Sequence, residues 1–245
     1  MYDFDELLLL RGDNLVINDQ LSIHHPTLEE VYCNGEEKYY GMVQAICATP
    51  HDYMVQLDDI GVDYTNISEI EMFVMMSKNL SINETKIIFG DVDFSKMKIV
   101  NHTVTGELAL YDSDKDLMID NVAYTLITEF LRKIHGLVKN EEYGGNELTK
   151  RILIDEARRN QEIMLNKGNG FKSILAPYIS AITNCSESNY DIHTVWTLPM
   201  YVLFDSIKRI NKIKISGYML NGAYSGWVDA KQFNKNDLDW SGELK

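Results

Sequence analysis

The sequence predicts an α+β protein, mainly helical, with a small antiparallel β meander and a helical C-terminal half. Three observations predict it. Apolar residues recur at helical spacing along most of the 245 residues. Short β-prone runs separated by turn residues gather at about 84–111. Val195–Phe204 is apolar or nearly so on every face, as befits a helix inside a core rather than one lying on it. The expected organisation is an N-terminal helical subdomain holding the meander, 1–118, and a helical subdomain with an aromatic C-terminal tail, 119–245.

Taken in order, residues 14–24 alternate loosely and predict a short strand pair around Asn18-Asp19. Pro26 then suits the first turn of a helix through TLEEVYCN, stopped by Gly35, with Glu29 and Glu30 favouring its positive end. A second helix is expected over Glu36–Ala48, ended by Pro50, and a third over Asp52–Ile60, with Gly61 as its C-cap. Ser68 suits the N-cap of a fourth, Glu69–Lys78. Lys86–Phe89, Met97–Asn101 and Glu107–Tyr111 make up the meander. Asn121–His135 has the apolar spacing of a buried helix and ends at Gly136. A polar loop, EEYGGNE, leads to a helix over Leu148–Lys167 with an apolar stripe at Ile152, Leu153, Ala157 and Met164, broken by GNG at 168–170.

Ser173–Asn184 reads as a short apolar helix, and a central helix, Asp191–Ile215, follows. Asp191 suits its N-cap, Pro199 should kink its interior, and Lys208, Arg209, Lys212 and Lys214 complement the dipole at its far end. The last thirty or so residues, spotted with glycine and aromatics, read as loop or hairpin.

Composition sets limits on function. With 45% hydrophobic residues a chain of this length buries roughly 70–75% of the surface its unfolded form exposes. A formal net charge of −14 opposes nonspecific binding to nucleic acid or to an anionic membrane, since both need a surplus of Lys and Arg. The opening MYDFDELLLLRGDN has a short leucine run flanked by acids, so neither signal peptide nor anchor is expected there. Cys33, Cys47 and Cys185 have no paired spacing and read as reduced thiols of a cytosolic protein, where the sequons at Asn66, Asn79, Asn83, Asn101 and Asn184 carry no meaning.

Motifs for chemistry are sparse. His24-His25, Cys33 and His51-Asp52 lack the paired spacing of a zinc site. DSDKD at 112–116 begins like a calcium loop, but its sixth position is Leu117 rather than Gly and its twelfth is Ala123 rather than Glu. No P-loop, GxGxxG or GxSxG is present. No catalytic residue, metal or cofactor is therefore expected. The candidate site is a set of aromatics, Tyr218, Tyr224, Trp227, Phe233 and Trp240, lying among glycines and charges without period. They are either anchors of a tail folded back over the domain or a partner-binding surface, where Trp and Tyr are enriched.

SIHHPTLEEVYCNGEEKYYGM (22–42), through Ile23, Pro26, Thr27, Leu28, Glu30, Val31, Gly35, Glu36 and Tyr39, resembles an opening found in morphogenesis proteins of tailed bacteriophages of Gram-positive hosts. The ending SGWVDAKQFNKNDLDW (225–240) is similar in style to the same group. The resemblance implies a tail assembly chaperone or a tail or baseplate component with no catalytic residues. Its partners would be other phage tail or baseplate proteins, and copies could associate within an assembly. It would be found in the host cytoplasm during assembly, or in the virion. The alternatives are a cytosolic enzyme whose site is assembled only in the fold, and an acidic host-directed phage effector.

Overall fold

The computed structural model describes residue 2 and residues 4–140, 145–166, 170–227 and 233–244. The EEYGGNE loop and the GNG break fall partly outside these residues, as do 228–232 of the tail. The chain starts with α1 (Glu6–Arg11), built on the leucine run. Asp5 caps it and Gly12 closes it in the left-handed region at φ 74°. β1 (Leu15–Asn18) and β2 (Leu21–Ile23) form the expected antiparallel pair. α2 (Leu28–Asn34) begins with a reciprocal capping box. Thr27 accepts from the Glu30 N–H while the Glu30 carboxylate accepts from the Thr27 N–H. Pro26 thus stands one residue before the cap rather than inside the first turn.

α3 (Glu36–Cys47) and α4 (Met54–Asp59) follow, joined through a 3-10 turn at Pro50–Tyr53. α5 (Glu69–Ser77) carries a second capping box, between Ser68 and Glu71. The next element differs from expectation. Lys86–Phe89 belongs to a helix, α6 (Ile82–Phe89), capped by Ser81. Its buried Thr85, Ile88 and Phe89 lie three and four residues apart, so helical spacing overrides the β propensity of the run. The meander lies further on, as β3 (Lys98–Asn101), β4 (Leu108–Asp112) and β5 (Leu117–Ile119), antiparallel in that order. DSDKD supplies the β4–β5 turn, with Asp116 at φ 50°.

α7 (Asn121–His135) matches its expected span, from the Asp120 cap to Gly136. α8 (Glu147–Asn166) leans on α4 through Ile154, which joins Met54, Val55, Leu57 and Tyr64 in a small second cluster. Ile152 and Met164, expected in its apolar stripe, are exposed, because α8 offers only a narrow strip to one short neighbour. α9 (Leu175–Thr183) leads through a 3-10 turn at Val195–Thr197 to α10 (Met200–Tyr224), and α11 (Lys235–Leu238) lies in the tail.

α10 departs most from the sequence reading. Pro199 does not kink it; it stands at the N-cap with extended backbone, so its missing N–H is one the helix would not have used. The segment before it is held by a two-bond bridge to the start of α2. The Leu28 N–H donates to the Leu198 carbonyl at 2.9 Å, and the Met200 N–H to the Pro26 carbonyl at 3.0 Å. Asp191 caps only the turn at His193 and Thr194. At the other end α10 runs on to Tyr224 rather than stopping at Ile215, so much of the expected loop is helix.

The main hydrophobic cluster draws on elements from α1 to α10, including Leu9, Ile23, Val31, Phe73, Phe130 and Leu203. Met200, Val202, Leu203 and Ile210 bring the first half of α10 into it, with Tyr201, Phe204 and Ile207 packed alongside.

Candidate interaction surface

A helix of 25 residues is about 38 Å long. That is longer than the core beneath α10. Past Ile210 the buried residue on it is Ser216, while Ile215, Tyr218 and Tyr224 are exposed. The backbone stays helical because each peptide bonds within the helix whatever lies around it. Gly217 and Gly222 weaken this stretch by about 1 kcal/mol each relative to Ala. After Tyr224 the chain turns at Gly226, φ 73°, and Trp227 stands in solvent.

The tail returns along this arm. Arg209 Nη1 donates to the carbonyls of Trp240 at 2.7 Å and Gly242 at 2.8 Å. Lys212 Nζ donates to that of Glu243 at 2.7 Å, and Ser216 Oγ to that of Leu238 at 2.7 Å. The sequence reading missed these contacts. It placed the basic residues at a helix end, where the dipole explains them; they lie mid-helix, and two of them, Arg209 and Lys212, hold a second segment. An open groove of about 500 Å³ lies between helix and tail, lined by Lys208, Asn211, Lys212, Ile215, Asn236 and Asp239, among others.

The five aromatics singled out from the sequence part company here. Tyr218, Tyr224 and Trp227 are 73%, 87% and 88% exposed. Trp240 lies in the returning segment, its carbonyl bound by Arg209 and its side chain still 56% exposed, and Phe233 is half-buried. The first three and Trp240 therefore offer large apolar area to solvent. Each ring of this kind removes 150–250 Å² from water when covered.

The histidines serve the fold. His24 bridges Asn14 and Glu30 at 2.9 and 3.0 Å. His25 is buried edge-on against Phe130, and its Nε2 accepts the Tyr201 N–H at the first turn of α10, 3.1 Å away. Burial, helped by neighbouring His24, lowers its pKa to about 4. His135 accepts from the Tyr39 hydroxyl at Nε2 and donates from Nδ1 to the Leu131 carbonyl, each at 2.6 Å; burial lowers its pKa to about 4 as well. His51 accepts from the Asn140 amide and packs on Tyr64. Among the described residues no group of three or more His, Cys, Asp or Glu could hold a metal ion. Burial pushes the Cys47 thiol up to about 12, which leaves it protonated and inert.

A second cavity, about 430 Å³, lies where α3 ends, lined by Gln44, Asp52, Tyr53 and Arg132 among others. Arg132 is buried there; it donates to the Cys47 carbonyl at 2.5 Å and pairs with Glu69 at 3.4 Å, so it completes the C-terminus of α3.

Residues 172–245 match the family model of the YomV second domain, a phage-associated family. The match spans α9, α10 and the returning tail, which is the surface just described. It makes this part of the chain similar to a phage-associated family, in keeping with the resemblance read from the sequence. No curated protein and no solved structure matches the chain.

Proposed function

We propose that the chain is a non-enzymatic phage morphogenesis protein that works by holding other tail or baseplate components, with the α10 arm as its contact surface. The observation that carries this reading is the exposure of Tyr218 and Tyr224 on one projecting helix and of Trp227 just past its end, inside the stretch similar to a phage-associated family. Two further facts support it. Tyr and Trp combine large contact area with few rotatable bonds, which is why they dominate binding energy at protein interfaces. A chain of net charge −14 resists self-precipitation while such rings stand in water.

Mass spectrometry of purified particles beside the producing lysate tests the reading. Stoichiometric presence in the particle would make the chain a structural component. Presence only in the lysate, bound to a tail protein, would make it an assembly chaperone. Absence from both would sink the reading.

A further inference from the structure

The segment that folds back on α10, residues 233–244, is held in an unusual way. Three α10 side chains, Arg209, Lys212 and Ser216, make four hydrogen bonds to it, and all four end on main-chain carbonyls. Recognition of this kind reads a backbone path and requires no particular side chain from the segment. Charge supplies the rest. Lys208, Arg209 and Lys212 form a basic stretch in a strongly acidic chain, and the sequence of the segment has three acids, Asp237, Asp239 and Glu243, to one base, Lys235. Its geometry is closed by a tight turn. Gly242 N–H donates to the Asp239 carbonyl, and a Cβ at Gly242 would stand 2.8 Å from Asp239 Oδ2.

From this geometry we infer that the groove on α10 is an exchange site, in which residues 233–244 of a second copy of this chain take the place of the chain's own segment. The same bonds form in either case, so exchange alters little beyond the connection between them. That connection leaves α10 through Gly226 at φ 73°, and the segment contributes no fully buried side chain among its described residues. Its hold is therefore polar and reversible. In dilute solution the chain's own segment wins, because a short tether supplies an effective concentration on the order of millimolar. Where copies are held side by side, as the proposed morphogenesis role requires, segments pass between neighbours and link them. The inference rests on that role only for its setting.

Two complementary variants test it. One ends at residue 232 and keeps the groove without the segment. The other, Arg209→Ala/Lys212→Ala, keeps the segment without its groove. Each alone is expected to sediment as a monomer, while an equimolar mixture at up to about 1 mM should contain a 1:1 heterodimer that weakens as salt rises. Because a segment that closes on its own chain must bind more tightly than its effective concentration, monomers throughout at that concentration would overturn the inference.

A labelled synthetic peptide of residues 233–245, titrated into the truncated chain and into the full chain, guards against a variant that folds poorly. The truncated chain should bind it at least about tenfold more tightly, since its groove is empty; equal or absent binding would also overturn the inference. Both variants keep Tyr218, Tyr224 and Trp227, so failure here leaves the particle mass spectrometry free to succeed.

Discussion

The two halves of α10 are equally helical and comparably apolar, yet they do opposite things. The first half carries Met200, Val202, Leu203, Phe204, Ile207 and Ile210 into the main core, and Phe204 meets Tyr178 of α9 edge-on at 5.4 Å. The second half carries Ile213, Ile215, Tyr218, Met219 and Leu220 with hardly a buried side chain among them. Composition does not separate the halves; neighbours do. α1, α7 and α9 pack against α10, and its first half supplies the residues that join the core, whereas a thin polar segment covers part of the second. An apolar helix is thus a core element only as far as other elements reach. Beyond that point its side chains are available to something else.

Acid should bring out the largest difference between the halves. His25 accepts the Tyr201 N–H of the anchored half, and His135 is buried in the same core. Both pKa values are lowered to about 4, from about 6.5 in the unfolded chain; Asp13 partly opposes the shift at His25. Above pH 6.5 the two rings are neutral whether the chain is folded or not, so stability from this source is complete. As pH falls from 6.5 towards 4 the unfolded chain takes up protons that the fold refuses, and stability is lost, on the order of 3 kcal/mol per histidine. Urea midpoints between pH 7.5 and pH 4 check this. A flat profile across that window would mean that neither ring is held neutral.

Truncation of Leu203 to Ala comes next. The side chain is fully buried, and its loss leaves a cavity as well as forfeiting the transfer free energy, about 2–5 kcal/mol in a urea melt. Tyr218→Ala, further along the same helix but without a core around it, should fall within about 0.5 kcal/mol of the parent. If the two variants cost the same, the division of α10 into an anchored and a projecting half is wrong.

A smaller loss is expected at Gly12→Ala, which acts on the start of the anchored half from outside it. Gly12 has φ 74°, and a Cβ there would stand 2.4 Å from Cγ of Pro199. Unfavourable backbone and clash together should cost about 1–3 kcal/mol in the same melt. A Pro199 displaced from its seat would loosen the bridge between Pro26 and Met200, so amide exchange in the first turn of α10 should quicken as well.

Elements set by local chemistry were legible in the sequence. Ser68 before Glu69, and Asn121–His135 closed by Gly136, carry their own start and stop signals within a few residues. Pro199 was not legible, because a proline fits both a kinked interior and an N-cap. The bridge that decides between them comes from Pro26 and Leu28, far away in sequence. The KIIF run was misread for a related reason: its β-prone residues were weighed by propensity, while the Ser81 cap and the core-facing spacing of Thr85, Ile88 and Phe89 decided the outcome. In the candidate surface the aromatics were visible as residue types. Their separation into projecting rings and a returning segment was not, because the expected end of α10 at Ile215 concealed what Arg209 and Lys212 reach.

The smallest effect on stability should accompany the largest effect on assembly. Trp227 and Trp240 are mostly exposed, so replacing either with Ala removes little that the fold uses, and thermal melting should stay close to the parent, within about 0.5 kcal/mol. If the projecting half of α10 holds a partner, Trp227→Ala should weaken that contact by about 2 kcal/mol or more, the scale of a buried interface aromatic. The readout is the amount of the chain recovered with particles or with a tail protein, compared at equal expression. Trp240→Ala should also weaken it, and by less, because that ring is partly covered by its own chain. A large drop in melting temperature with recovery unchanged would reverse the comparison. The rings would then anchor the tail, and the projecting half would be part of the fold after all.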